Sequence, residues 1–213
     1  SSAQRGVSEM HEQLSSALTE KIEILTLVLD DETGALSWVS ERKRWAAVKL
    51  DSQRNLFSAV GVGARGVTVT IRPDRRLTLR NAIRWNGEFL HLTTISMGAE
   101  RDRQEIRAAI CHPETLTAKP QDRTGRDARN RPVAIPQAAY TFPGILAERY
   151  YRSEEDEVFR RETLERVLVT PKAVELRTGD LIQQGDSAPY TVLQRLDLED
   201  YKNEYVIERR RDA

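Results

Sequence analysis

The chain has 213 residues with 33 basic and 33 acidic side chains, too many for a single small barrel and enough for one larger domain or two small ones. No apolar run approaches the eighteen or so residues of a membrane-spanning helix, Ser1–Gly6 lacks the basic-then-apolar pattern of a secretory signal, and the one cysteine, Cys111, excludes an internal disulfide framework and fits a reducing cytoplasm. The zero net charge conceals a gradient, +2 over 1–111, +2 over 112–137 and −4 over 138–213, which is not the strongly basic profile of an ordinary nucleic-acid binder.

Val7, Met10, Leu14, Ala17 and Leu18 fall at helical spacing and predict a short amphipathic helix over 7–18, within an N-terminal segment 1–20. The absence of Met before Ser1 is read as its removal. From Ile22 to Leu29 the period changes to that of a strand apolar on both faces, and Asp30-Asp31-Glu32-Thr33-Gly34 is a turn signal. Leu36–Val39 and Trp45–Leu50 read as two further strands. The polar, glycine-rich stretch 51–66 reads as a long loop. Gly66–Arg72 is a strand of alternating β-branched residues, broken by Pro73-Asp74. Ala82–Trp85 and Phe89–Ile95 flank Asn86-Gly87, a hairpin signal, and Gln104–Cys111 closes a first β domain, 21–111.

Four prolines (Pro113, Pro120, Pro132, Pro136) and a polar run make 112–137 an extended linker or arm. Beyond it, 138–213 reads as a second β domain. Its strands fall at Tyr140–Tyr151, Arg166–Thr170, Ala173–Leu176, Leu181-Ile182, Tyr190–Leu196 and Tyr205–Arg209, and the charged run from Ser153 to Arg166 is helix or loop. This half repeats the plan of the first: strand, polar turn, aromatic-led strand, acidic turn, closing strand. Leu79-Arg80-Asn81 aligns with Leu176-Arg177-Thr178, and one inserted residue is needed. The fold class is mainly β, two small antiparallel barrels in tandem.

No catalytic, cofactor-binding or metal constellation is expected. Gly61-x-Gly63-x-x-Gly66 matches a dinucleotide fingerprint literally, but a strand follows it where a helix N-terminus would have to hold the pyrophosphate. His11, His91 and His112 are not at ligand spacing. Cys111 reads as a buried thiol, and Glu154–Glu157 as a solvated or intersubunit face paired with Arg160-Arg161. Trp38, Trp45 and Trp85 read as core or interface packing rather than base-stacking platforms, because no basic groove interleaves them. Only six of the 33 cations are Lys, and the arginine excess favours planar, multi-donor pairing at interfaces.

The order of elements over 21–112 resembles the bacteriophage head–tail joining (head-closure or stopper) family of long-tailed phages. The residues that carry the resemblance are Glu20–Leu29, Arg44-Trp45-Ala46-Ala47-Val48, the loop Asp51–Gly66, Val67–Arg72, Asn81–Trp85, Asn86-Gly87, Phe89–Ile95, Glu100-Arg101-Asp102-Arg103 and Glu105–Cys111. The resemblance implies a non-enzymatic structural protein of the virion neck, assembled in the host cytoplasm. It implies a homo-oligomeric ring, six- or twelvefold, with portal and adaptor above and tail terminator or tail tube below. Double-stranded DNA would pass non-specifically through its lumen, and no membrane is involved. Ser52, Gln53, Arg54, Asn55 and Arg65 are then candidates for a channel-facing loop, and Arg123, Arg126, Arg129 and Arg131 for a subunit arm. The N-terminal helix and the second β domain lie outside the short family chain. The competing reading is a tandem OB-like nucleic-acid-binding barrel, which predicts a basic, aromatic groove.

Overall fold

The computed structural model describes residues 17–54, 65–152, 162–196 and 199–210. The expected helix 7–18 falls almost wholly outside the described residues, as does the acidic run 154–157. Fourteen strands form two closed six-stranded antiparallel barrels and one separate two-stranded sheet among these residues.

The first barrel contains β1 (Glu20–Leu29), β2 (Leu36–Arg54), β3 (Arg65–Ile71), β4 (Ala82–Trp85), β5 (Glu88–Met97) and β6 (Gln104–Cys111), paired around the ring in the order β1-β2-β3-β6-β5-β4. Strand periodicity fills its core: Val67, Val69 and Ile71 of β3 point inward together and meet Ile22, Ile24, Ile83, Leu90, Leu92 and Ile106. A bulge at Thr93, between the pairs Leu92↔Ala108 and Thr94↔Arg107, shifts the phase of β5 by one. Ile95 therefore packs on the core where Thr94 would otherwise point inward. The predicted Asn-Gly hairpin is present, with Asn86 at φ 48° and Gly87 at φ 82° between the paired residues Trp85 and Glu88. This is the left-handed backbone that such a two-residue turn requires.

The second barrel contains β7 (Glu114–Lys119), β10 (Tyr140–Arg152), β11 (Glu162–Pro171), β12 (Leu181–Gln183), β13 (Tyr190–Leu196) and β14 (Lys202–Arg209), in the order β10-β11-β14-β13-β12-β7. Leu116, Phe142, Leu168, Val174, Leu176, Ile182, Val192, Tyr205 and Ile207 form its core. Between β7 and β10 the chain makes the separate hairpin of β8 (Arg123–Arg126) and β9 (Pro132–Ile135). One compact unit comprises the described residues of 1–26 and 38–112, the other those of 27–37 and 113–213.

Taken in chain order, both barrels have one wiring: first strand on second, second on third, third on sixth, sixth on fifth, fifth on fourth, fourth back on first. The correspondence extends to single residues. Bulges fall at Thr93 and at Leu193. Gln104 opens β6, is buried, and its Oε1 accepts the Asp74 N–H at 3.0 Å. Asn203, at the same place in the ladder of β14, is buried and donates to the Lys172 and Val174 carbonyls. Each buried amide pins the turn after the third strand. Asn81 and Asp180 then each accept, through a side-chain oxygen, the N–H of the residue three before, at 3.0 and 2.8 Å.

Several sequence expectations need correction. The stretch 51–66 is not all loop, since its first four residues continue β2 and its last two open β3, and 162–166, expected as helix or loop, begins β11. Leu36–Val39 and Trp45–Leu50 are not separate strands but parts of one nineteen-residue strand. The charged run between them stays extended because its charges are paired with neighbouring elements: Arg42 and Arg44 with Asp74 and Glu41 with Arg76, both in the turn after β3, and Lys43 with Glu23 of β1, which Arg84 of β4 shares. The segment 112–137 is not simply a linker or arm. Its first part is β7, a wall of the second barrel, and only 123–135 stands apart as a hairpin. The prolines bound these strands instead of preventing them, since Pro113 and Pro120 flank β7 while Pro132 opens β9 and Pro136 follows it. Residues 173–176 are loop, yet Val174 and Leu176 are buried, tied by the Tyr205 hydroxyl, which donates to the Val174 carbonyl at 2.9 Å and accepts from the Leu176 N–H at 3.0 Å. Finally, Leu176 corresponds to Leu77, not Leu79, and the extra residue sits in the hairpin after β12.

Candidate nucleic-acid interface

Strand β2 runs past the end of the first barrel's core and carries Glu41-Arg42-Lys43-Arg44-Trp45. Alternation sorts these side chains. Ala46 faces the core, so Arg44 and Arg42 share its side, and Lys43 and Trp45 take the outer face. Ala46 pairs with Ile71, and continuing that register by one residue sets Arg72 opposite Trp45. Leu18 and Thr19, just ahead of β1, complete an open cleft of about 640 Å³ lined by Leu18, Thr19, Lys43, Arg44, Trp45 and Arg72.

Trp45 is 54% exposed, an uncommon state for so large an indole. The Lys21 ammonium lies over its ring, 5.0 Å from the centroid; Lys21 is not among the lining residues of the cleft, whereas Trp45 is. The expectation that no basic groove adjoins the tryptophans therefore fails for Trp45. The other two differ: Trp38 tilts against Phe89 with ring centroids 5.7 Å apart, and the Trp85 indole N–H donates to Glu20 at 3.3 Å.

Of the cleft's two arginines, Asp74 holds Arg44, together with Arg42 beside it on the same strand face. The Asp74 side chain is 3% exposed and takes Arg42 Nε at 2.8 Å and Arg44 Nη2 at 3.3 Å on one oxygen, while its other oxygen accepts the Arg76 N–H at 3.0 Å. Burial alone would raise this carboxyl's pKa. The Arg42 hydrogen bond, the Arg76 N–H and the charges of Arg42 and Arg44 outweigh burial and hold it below the usual carboxylate range.

The channel-loop candidates are only partly placed. The side chains of Ser52, Gln53 and Arg54 lie outside the described residues, as does Asn55 entirely; β2 carries the backbone of the first three. Arg65 opens β3, is exposed, and its Nε donates to the Asp51 carbonyl at 3.4 Å. All four arm candidates are exposed on the β8–β9 hairpin. Arg131 pairs with Asp127 at 2.8 Å and Arg126 donates to Asn130 at 2.9 Å, so these two stabilise the hairpin's own turn. Asp127 is also the acceptor for the Arg129 and Arg131 N–H groups.

Gly66 is the second residue of β3 and pairs with Ala109, so its backbone is committed to the ladder. Gly61 and Gly63 lie outside the described residues, as does His11. Cys111 is buried, and His112 is exposed with Nδ1 3.9 Å from Glu88. Among the described residues no three His, Cys, Asp or Glu side chains come together as a metal site would need.

No protein-family model matches the chain, and no curated protein matches it. The solution structure of protein SF1141 from Shigella flexneri 2a is similar to it at 23% sequence identity and a TM-score of 0.36, over 44% of this chain and 93% of that one.

Proposed function

We propose that this chain is a structural subunit of a phage head–tail connector, a ring that joins capsid portal and adaptor to the tail and helps retain packaged DNA. What supports the reading is the segment that carries the family resemblance, 21–112. Its strands close on themselves as one six-stranded barrel, with the glycine-rich segment joining β2 to β3. Closure leaves such a barrel no free strand edge, so its copies can associate only through faces, loops and arms. The β8–β9 hairpin is suited to be that arm. It is the one strand pair, among the described residues, that belongs to neither barrel, and it has no counterpart between β1 and β2 of the first. A lone hairpin is marginal in water, and this one leaves Val133 and Ile135 exposed beside its arginines. Ordering it on a neighbouring subunit would bury both.

The arm can be removed cleanly. Ala118 of β7 pairs directly with Tyr140 of β10, so a Gly-Ser turn in place of 123–135 can close the same ladder. The expected outcome is a folded barrel by circular dichroism with rings lost in negative-stain images and native mass spectrometry, assembled with portal and adaptor where the free chain is monomeric. Rings that form equally well without the hairpin would remove the arm, and a chain that never forms rings in any of these settings would remove the connector reading itself.

A further inference from the structure

We infer that the Trp45 cleft is a nucleotide-binding site that takes a short stretch of single-stranded nucleic acid, one base stacking on Trp45 and the phosphates lying along Lys43, Arg44 and Arg72. The inference does not rest on the connector reading, because every residue it uses belongs to the first barrel.

The chemistry of the walls selects the ligand. A half-exposed indole offers an apolar, planar surface that water solvates poorly, and nucleobases stack on such a surface whatever their sequence. Lys21, over the ring, adds positive charge at the same place. Three of the six lining residues are cations. Their local counter-charges are largely committed. Asp74 is engaged most closely by Arg42, which leaves Arg44, at 3.3 Å on a shared oxygen, with guanidinium donors to spare. Glu23 is shared between Arg84 at 3.2 Å and Lys43 at 3.6 Å, and Lys43 is 74% exposed, so that pair is weak. Arg72 is exposed, opposite Trp45. A polyanion with aromatic faces satisfies indole and cations together, which an acidic peptide does not. A duplex hides its base faces, so a single strand is the fitting form.

A free nucleotide carries the same chemistry as one unit of a strand, and the test separates them. Fluorescein-labelled dT12 is titrated with the full chain and followed by anisotropy at low and moderate salt, with W45A and R72A measured alongside. Both side chains are exposed, so far-UV circular dichroism should be unchanged. The expected result is saturable binding weakened about tenfold by loss of the indole, and weakened severalfold with a shallower salt dependence by loss of Arg72. Unlabelled dT12 should displace the probe far better than dTMP; displacement by dTMP at equal concentration would keep the site and assign it to free nucleotides. Three results overturn the proposal: no binding at low salt, variants that bind like the parent, or heparin or polyglutamate competing as well as dT12, which would make the cleft a surface for polyanions or acidic peptides. Failure to form rings would leave this titration intact, and failure of this titration would leave the rings intact.

Discussion

Asp74 holds together more of the first barrel's end than any neighbouring charge. It follows Pro73, where β3 stops, and its carboxylate gathers Arg42 and Arg44 from β2 and the backbone of Arg76, while its own N–H is taken by Gln104 of β6. Arg42 is itself nearly buried, with a side chain 12% exposed. Asp74→Asn keeps the shape and removes the charge, so it leaves the largely desolvated Arg42 guanidinium with Glu41, at 2.7 Å, as its remaining ionised partner. Losing a hydrogen bond to a charged group costs about 1.5–3 kcal/mol, less than breaking a fully isolated buried pair because Glu41 still neutralises Arg42, and that loss should appear in urea unfolding at neutral pH. The pH dependence has a definite sign. A carboxyl held below its unfolded value of about 3.9 contributes stability in full above that pH and loses it as the pH falls towards the folded value. The parent should therefore weaken more steeply below pH 4 than Asp74→Asn, and the gap between them should narrow in acid. Parallel acid profiles for the two proteins would show that the carboxylate is not the group being titrated.

At the scale of single strands, the tandem plan lets one barrel act as a control for the other. Leu146 pairs with Leu168 as Val48 pairs with Val69, so Gly144 in β10 occupies the place of Ala46 in β2. The first barrel accommodates the methyl, with Ala46 fully buried. In the second, a Cβ at Gly144 would lie 2.8 Å from Leu116 Cδ1, 2.9 Å from Leu168 Cδ1 and 3.2 Å from a Phe142 ring carbon. Gly144→Ala should therefore destabilise the second barrel by about 1–3 kcal/mol through overpacking, although the same residue sits comfortably in the first; a neutral or stabilising result in thermal unfolding would mean that these leucines move aside freely. Strand identity was legible in the sequence wherever alternation was clean, and Ala82–Trp85 and Gln104–Cys111 match β4 and β6 residue for residue. Proline-rich segments misled. Pro113 and Pro120 bracket β7, whose Leu116 and Ala118 are an ordinary inward-facing pair, but a single short strand flanked by prolines and polar residues carries too few alternations to stand out. Two-residue periodicity also cannot register a bulge, so the shift that brings Ile95 onto the core was not visible in the chain. The cleft was missed for another reason. Lys43-Arg44-Trp45 is a basic–aromatic run visible in the chain, but its companions Lys21 and Arg72 reach it only through the pairing of β1 and β3 on either side of β2, whose register no local pattern fixes.

Seen whole, the chain carries one architecture twice, and the two copies have been spent differently. Loops, bulges and buried amides correspond, so the plan of each barrel is set by the same few devices: an Asx-type cap at Asn81 or Asp180, and an anchoring amide at Gln104 or Asn203. Charge and surface diverge, with the exposed tryptophan and its cations on the first copy and the added hairpin on the second. That division was readable in outline from composition, since the acidic excess begins at residue 138, but the shared wiring was not, because ring order depends on pairings that no local pattern encodes. Two separate cores predict two separately failing units. Ile83 and Ile182 are both fully buried on the fourth strand of their barrels. Truncating either to Ala should cost its own barrel about 2–5 kcal/mol. Hydrogen exchange read by mass spectrometry should then show Ile83→Ala releasing peptides from β3, β5 and β6 while β11, β13 and β14 stay protected, and Ile182→Ala doing the reverse. If either substitution deprotected all six strands together, the barrels would be one cooperative body, and the surfaces assigned to each could no longer be tuned independently.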